Sequence, residues 1–174
     1  MVVLRNSAVV AAHYLLPIAD REPLSWILRE QRTAFGEHRA REAQALEVGD
    51  VLYLYTTRGC FRNPTRDRGR VIGRATVKTP ARRAPRAPAF GGREFPYVVE
   101  LAIDSLAPLR EGLKLAPLVP RLPRTFPDPR SWSVRLRRAL VALDPDEAAL
   151  VERELAPHVV DYANAIGSYD GIAR

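Results

Sequence analysis

The chain has 174 residues, of which 47% are hydrophobic, which is enough for one ordinary domain with a single core and short for two. It holds 27 basic and 20 acidic side chains, a formal net charge of +7, and one cysteine, Cys60. A lone cysteine excludes an internal disulfide and argues against a zinc site of the CxxC kind, and no apolar run approaches the roughly 20 residues of a membrane span. We therefore expect one cytoplasmic domain, residues 1–174, with no secretion signal, membrane contact, metal or cofactor.

The first elements along the chain are one or two strands and an amphipathic helix. The apolar pieces AVVAA and HYLLPI supply the strands, and the stretch REPLSWILREQRTAF places Pro23 in a first helical turn. The apolar residues that fall on one face of this helix are Leu24, Ile27, Leu28 and Phe35. Trp26 lies roughly opposite that face, where it either packs against a neighbouring loop or is aimed at a bound base.

The next strand follows a turn signal, EVGD, and alternation divides its residues between two faces. Leu52 and Leu54 share one face, and Tyr53 and Tyr55 share the other. A further strand is predicted at GRVIGRATV, in which Gly73 indicates a bulge or the close approach of another backbone or a ligand. The loop between the two strands, rich in Arg, Asn and Thr, is too long for a minimal hairpin and is typical of a functional loop.

The second half of the chain predicts fewer regular elements. A Pro/Arg-rich segment, residues 79–96, is expected to be an extended and mobile surface excursion, and YVVELAIDSLAPL to be a strand. After a stretch that five prolines interrupt, SVRLRRALVAL is expected to form a last strand. Asp144 and Pro145 have the positions of a cap and a first turn, which predicts a final helix. The sum is an α+β domain with five or six strands in a curled mixed sheet or small barrel, and flanking helices.

The positive charge is concentrated in one part of the chain. Residues 58–93 hold eleven basic side chains and one acidic one, Asp67, a local charge of +10, whereas the remainder carries −3. Such a concentration on a third of a small domain is typical of a surface that meets a polyanion. A solvated basic loop without a partner is the alternative.

The order of these motifs resembles the EVE domain of the PUA-like superfamily, a relative of the YTH and ASCH domains. The matching residues are Gly49, Asp50, Leu54, Tyr55, Thr56 and Thr57, then Val71, Ile72, Gly73, Ala75 and Val77. The pieces LAPLVPRL and LRRALVAL before an acidic helix are also similar to that family, so the resemblance covers about residues 12–157 and leaves a tail, 158–174, of unassigned role. Where many members have Tyr-Trp-Leu this chain has Tyr-Leu-Leu, and it lacks the GVRN-type helix signature.

The resemblance implies a barrel-like, PUA-like sheet with a pocket beside the early helix, in a group associated with modified nucleobases in DNA or RNA. We therefore expect a nucleic-acid-binding module that accommodates a flipped, modified base, compensated by stacking and by hydrogen bonds to the base edge. The expected base-binding residues are Trp26, Tyr53, Tyr55, Thr56, Thr57 and Asn63, and the expected phosphate-binding residues are Arg58, Arg62, Arg66, Arg68 and Arg70. Thr56 enters this set through the resemblance, because alternation points it to the leucine side.

Two other functions stay open. An ASCH-like ribonuclease would need His13, His38 or His158 to cluster with Tyr55 or Asp67 for acid–base chemistry, and nothing in the sequence brings them together. We assign no catalytic residue and favour a binding module over an enzyme. A protein-interaction adaptor would use the Pro/Arg-rich segment and bind an acidic protein without needing the aromatic residues. Neither the choice between DNA and RNA nor the existence of a partner nuclease follows from the sequence.

Overall fold

A computed structural model of the protein describes residues 10–174. The strands are β1 His13–Ile18, β2 Arg32–Phe35, β3 Val51–Thr56, β4 Arg70–Val77, β5 Arg82–Arg83, β6 Ala89–Phe90, β7 Arg93–Glu94, β8 Tyr97–Leu106, β9 Leu113–Lys114, β10 Val141–Leu143 and β11 Val160–Asp161. The helices are α1 Arg21–Glu30, α2 Ala40–Gln44, α3 Trp132–Arg135, α4 Pro145–Leu155 and α5 Tyr162–Ala165. Turns of 3-10 helix occupy Glu37–Arg39, Ala116–Arg121, Ala156–His158 and Ile166–Tyr169.

The predicted strand at HYLLPI is β1, whereas residues 10–12 of the piece AVVAA form no strand and its first two residues lie outside the described part.

The architecture is a strongly curled mixed sheet with flanking helices, as expected from the sequence. Its strand order is β10-β1-β3-β4-β8-β11, with β2 and β5 paired to β8 and β9 paired to β4. All of these pairs are antiparallel except β1 and β3, which run parallel side by side. The long strand β8 pairs with β2 and β5 through its first half and with β4 and β11 through its second half, so the sheet bends around it. Among residues 10–174, no helix has the length and apolar character to cross a bilayer.

The early helix is shorter than predicted. Asp20 caps α1 by accepting a hydrogen bond from the backbone N–H of Glu22, and the helix ends at Glu30 because Gln31 takes a left-handed conformation, with φ of 49°. Phe35, predicted on the helix, instead lies in β2, where it is still buried. Gln31 fixes the change of direction, since its side-chain oxygen accepts a hydrogen bond of 2.9 Å from the backbone N–H of Ile103 in β8.

The alternation predicted for β3 is confirmed, but both of its faces are buried. Leu52 and Leu54 belong to one hydrophobic core, beneath α1 and β2, while Tyr53 and Tyr55 belong to a second core on the opposite face of the sheet. That second core is completed by apolar residues of the segment 113–126 and of α4. Strand β3 is therefore a central strand between two layers.

Gly73 confirms its predicted role as a point of close approach. A Cβ at this position would lie 2.5 Å from the backbone oxygen of Ser105 in the neighbouring strand. The register of β4 shifts on both sides of Gly73. In the pairing with β3 the shift falls between Leu54 and Tyr55 of β3, and in the pairing with β8 it falls between Arg74 and Ala75 of β4. These irregularities bend β4 and contribute to the curl of the sheet.

The C-terminal half differs from the sequence expectation in one element. SVRLRRALVAL does not form one strand: Trp132–Arg135 is the short helix α3, a turn follows, and only Val141–Leu143 joins the sheet as β10. The predicted final helix is confirmed as α4, with the Asp144 side chain accepting from the first helical N–H groups. The chain then continues beyond residue 158 into β11, α5 and a 3-10 turn that pack on β8 and α1, with the Tyr162 hydroxyl donating to the backbone oxygen of Leu28.

The Pro/Arg-rich segment is folded against the domain. Strand β5 pairs with β8, and β6 and β7 form a hairpin whose turn residues Gly91 and Gly92 both have positive φ. Arg83 holds the segment in place through an ion pair of 3.0 Å with Glu37 and by stacking 5.6 Å above the ring of Tyr97.

Candidate functional site

A groove of about 1250 Å³ opens where the parallel strands β1 and β3 both end. One wall is formed by the start of α1, the turn after β2 and the β6–β7 hairpin. The other wall is formed by α3 and the residues after it, and the floor by the end of β3 and the arginine-rich loop that leads to β4. Its volume exceeds the roughly 300–1000 Å³ that encloses one drug-sized ligand, so the groove has room for a larger, extended ligand.

Aromatic side chains line both walls of the groove. On one wall Trp26 meets Phe90 edge-on with ring centroids 5.7 Å apart, and Phe90 contacts Phe95 at 5.5 Å. On the other wall Trp132 is supported from behind by Phe126, edge-on at 6.1 Å. Each of these wall positions carries a ring that is held in place by a second ring. The groove therefore offers aromatic surfaces on which a planar group can stack.

The floor of the groove contains the last tyrosine of β3. Tyr55 is 2% exposed, and its ring lies so close to Gly69 that a Cβ on the glycine would be 1.9 Å from the tyrosine hydroxyl oxygen. Burial raises the pKa of Tyr55 to about 12, and the protonated hydroxyl can serve as a hydrogen-bond donor. Thr57, two residues further along the chain, also lines the groove.

The electrostatic character of the groove is positive. Its basic lining consists of Arg39, Arg58, Arg62, Arg68, Arg93, Lys114, Arg137 and Arg138, against two carboxylates. Arg39 and Arg62 form ion pairs with Glu42 and Asp20, but none of the other six pairs with a carboxylate within the described part of the chain. Six cations without a local counter-ion around one groove favour a polyanionic ligand.

The two carboxylates of the groove belong to the first turn of α1 and the residue that caps it. The backbone N–H of Glu22 and then the Arg62 guanidinium, 3.3 Å away, hold the pKa of Asp20 below its ordinary value. The cap is therefore ionised at neutral pH. Asp20 in this way connects the helix start with the arginine-rich loop and fixes the position of Arg62 at the groove edge.

The structure brings together about half of the site residues predicted from the sequence. Those that line the groove are Trp26, Tyr55, Thr57, Arg58, Arg62 and Arg68. Arg66 and Arg70 instead face a second, smaller cavity on the other side of the loop, as does Thr56, whose hydroxyl is 3.4 Å from the backbone oxygen of Arg70. Asn63 is not part of the groove lining, and its side-chain oxygen accepts a hydrogen bond from the Thr65 hydroxyl.

Tyr53 is a correction to the predicted site. It is completely buried in the second core, with its hydroxyl 3.4 Å from Nδ1 of His13 and the two rings stacked at 6.1 Å. Burial raises the pKa of Tyr53 to about 12. The tyrosine face of β3 is covered by α4 and the segment before it, and only the last tyrosine of the strand extends past this cover to the groove.

Several groove residues were missed by the sequence reasoning. They are Arg39, Phe90, Arg93, Phe95, Lys114, Trp132, Arg137 and Arg138. Phe90, Arg93 and Phe95 lie in the segment that was expected to be a mobile excursion, and Trp132 lies in the proline-interrupted stretch, to which we assigned no site residue. The local signal that could have found them is the occurrence of isolated aromatics beside arginines, at FGGREF and SWSVRLRR.

Of the groups named for an acid–base enzyme, His38 and Tyr55 line the same groove, whereas the other two histidines lie elsewhere. His38 lines the groove, His13 packs on Tyr53 in the second core, and His158 ends the 3-10 turn after α4. Cys60 is buried, and burial raises its pKa to about 12, which disfavours the thiolate. Within residues 10–174, no three His, Cys, Asp or Glu side chains group as metal ligands would.

The curled sheet with its flanking helices is a YTH-like, PUA-type fold. Among solved structures, the Pho92 YTH domain in complex with m6A superposes on 88% of this chain and 90% of its own length, with a TM-score of 0.58 and 8% identity. The YTH domain of the Zygosaccharomyces rouxii MRB1 protein, in complex with N6-methyladenosine RNA, matches 82% of this chain and 85% of its own, with a TM-score of 0.54 and 12% identity.

A bacterial protein has the same fold at higher identity. The NMR structure of a Rhodopseudomonas palustris protein covers 84% of this chain and 94% of its own length, with a TM-score of 0.52 and 20% identity. No protein-family profile matches the sequence, and a search of curated proteins gives no significant match. At these identities the likeness defines the fold, and the function has to be argued from the groove.

Proposed function

We propose that this chain is a nucleic-acid-binding module that holds a flipped, modified nucleobase in the groove. The observation that carries the proposal is the combination, in one groove, of ring surfaces on both walls with six cations that no carboxylate of residues 10–174 neutralises. An extended single strand presents the matching features, planar bases and a phosphate at every nucleotide. The resemblance of the sequence motifs to EVE domains and the two YTH neighbours bound to m6A or to N6-methyladenosine RNA support the same proposal.

The energetics fit this assignment. Taking a base out of its stack costs a few kcal/mol, least when the strand is already single, and each base–aromatic contact returns about 1–3 kcal/mol. Trp26 provides one such face and Trp132 another. The Tyr55 hydroxyl and Thr57 are the groups at the floor that can read the base edge. The cations of the floor and walls then hold the flanking phosphates, which makes binding salt-dependent.

Intrinsic fluorescence offers a direct test, because both tryptophans of the chain line the groove. Single-stranded oligonucleotides with and without one N6-methyladenine are titrated into the protein at low salt, as RNA and as DNA. We expect fluorescence quenching with every oligonucleotide that binds and tighter binding of the methylated ones. The absence of binding by all of them at low salt would overturn the proposal.

Two variants test the stacking face. Trp26→Ala removes it, and we expect the affinity for the methylated strand to fall roughly tenfold to a hundredfold, the equivalent of about 1–3 kcal/mol. Trp26→Phe keeps an aromatic ring and is the matched control, with a smaller loss. Equal affinities for the wild type and the alanine variant would show that the base lies elsewhere. Cleavage of a labelled strand by the purified protein would favour the ribonuclease alternative.

A further inference from the structure

The second cavity lies behind the arginine-rich loop and adjoins the groove. It has a volume of about 220 Å³, and Arg68 lines both spaces. Three further arginines line it, Arg66, Arg70 and Arg110, together with Asp67. A strand that leaves the groove past Arg68 therefore meets a second cationic site directly.

The arginines define an anion site. Arg66, Arg68 and Arg70 form no ion pair with any carboxylate of the described residues, and Arg110 is the only one of the four near such a group, with its Nη1 3.8 Å from Oδ1 of Asp67. Guanidinium groups recognise phosphate oxygens through paired hydrogen bonds. The volume is below the roughly 300 Å³ at which sites for drug-sized ligands begin, so a fragment such as one sugar phosphate fits and a whole nucleotide does not.

Asp67 adds a requirement that phosphate alone does not meet. Its Oδ2 is buried and has no hydrogen-bond partner among residues 10–174, and the side chain as a whole is 11% exposed. A buried carboxylate oxygen requires a donor. The Arg110 guanidinium, at 3.8 Å from the other oxygen, is too distant to donate a hydrogen bond. The ligand that completes the site thus carries a negative charge for the arginines and a hydroxyl donor for Asp67.

We propose that this cavity is a ribose-phosphate subsite, in which the arginines hold a phosphate and Asp67 accepts a hydrogen bond from a ribose 2′-hydroxyl. The proposal rests on the proposed function of the groove and adds to it a preference for RNA over DNA. The 2′-hydroxyl is the group by which a protein distinguishes the two backbones, and a deoxyribose strand leaves Asp67 without its donor. The sugar phosphate belongs to the nucleotide that follows the base held in the groove.

The test measures the affinities of the 174-residue protein for an RNA strand, for DNA of the same sequence and for the RNA with 2′-O-methyl groups. We expect RNA to bind about tenfold more tightly than DNA, and the methylated-ribose RNA to bind like DNA. Asp67→Asn replaces a carboxylate oxygen by an amide donor and also removes a negative charge beside the arginines, so the ratio of RNA to DNA affinity is expected to fall to about 1, whatever the change in DNA binding. Glu111→Gln, which alters the other carboxylate of the cavity, is the matched control and keeps the preference.

The outcomes separate this inference from the proposed function. If the wild type binds RNA and DNA equally, or if Asp67→Asn retains the preference, the subsite is overturned while groove binding stands. If no oligonucleotide binds, both fail. Free ribose 5-phosphate distinguishes the source of the sugar phosphate: we expect it to compete at least a hundredfold more weakly than the strand. Competition at equal strength would assign the cavity to a free sugar phosphate and overturn the inference. The 2′-O-methyl comparison needs no variant and so remains valid if Asp67→Asn does not fold.

Discussion

Gly69 leaves room for the Tyr55 ring at the floor of the groove, and replacing this glycine by alanine perturbs its contact with that ring. The added Cβ would lie 1.9 Å from the hydroxyl oxygen of Tyr55, 2.7 Å from Cζ and 3.1 Å from Cε2. The tyrosine is 2% exposed and packs in the second core, so it cannot move away without disturbing its neighbours. Overpacking of this kind costs about 1–3 kcal/mol, and we expect the free energy of unfolding of Gly69→Ala to fall by that amount.

The assay is urea unfolding followed by circular dichroism, together with oligonucleotide titration of the folded variant. Gly59→Ala is the matched control, because Gly59 also lines the groove while an added Cβ there meets nothing within 4 Å. Its stability is expected to stay within about 0.5 kcal/mol of the wild type. Tyr55→Phe combined with Gly69→Ala removes the closest atom and should restore part of the loss. A Gly69→Ala variant as stable and as tight-binding as the control would refute the described packing of Tyr55.

Three further measurements test other parts of the site. Asp20→Ala should lower the free energy of unfolding by about 0.5–2 kcal/mol at pH 7. The helix N–H and then Arg62 hold the pKa of Asp20 below its ordinary value, so the stability difference between wild type and variant is constant above that ordinary value and shrinks as the pH falls through the lowered pKa. A stability difference that does not change with pH would contradict the capping role. Cys60, with its pKa raised to about 12, should resist iodoacetamide at pH 8 in the folded protein and react in urea, and fast labelling of the folded protein would show an exposed thiolate. Arg137→Gln should reduce the slope of log affinity against log salt by about 1, whereas Arg153→Gln, exposed on α4 away from the groove, should leave it unchanged.

The structure bears on the two alternatives to a binding module, the protein-interaction adaptor and the nuclease. An adaptor would present the Pro/Arg-rich segment as an independent element, yet Phe90 and Phe95 of that segment pack on Trp26 and form a wall of the groove. The basic charge of the segment is thus part of the same surface as the arginines of the loop. A nuclease would need a histidine beside Tyr55 or Asp67: His13 instead packs on Tyr53, while His38 lines the groove with Tyr55, so the cleavage assay decides this alternative.

The local elements were largely predictable because their causes are local. Alternation assigned the faces of β3, the Asp-Pro pair predicted the start of α4, and the glycine in β4 indicated the close approach that Ser105 makes. Where the prediction from the sequence was wrong, a contact with a residue distant along the chain determined the local structure. The helical spacing continued to Phe35, but Gln31 ends the helix because its side chain and backbone oxygens bind β8, some seventy residues later.

The sequence by itself determined the fold class, the concentration of charge and which tyrosines share a face. Only the tertiary structure decided what covers that face: α4 closes it over Tyr53 and leaves Tyr55 at the groove. It also divided the arginine-rich loop between two spaces, with Arg58 and Arg62 on the groove and Arg66 and Arg70 on the smaller cavity. The physical reason is that a period of two fixes the direction of a side chain relative to its own strand, whereas its surroundings are supplied by elements far along the chain.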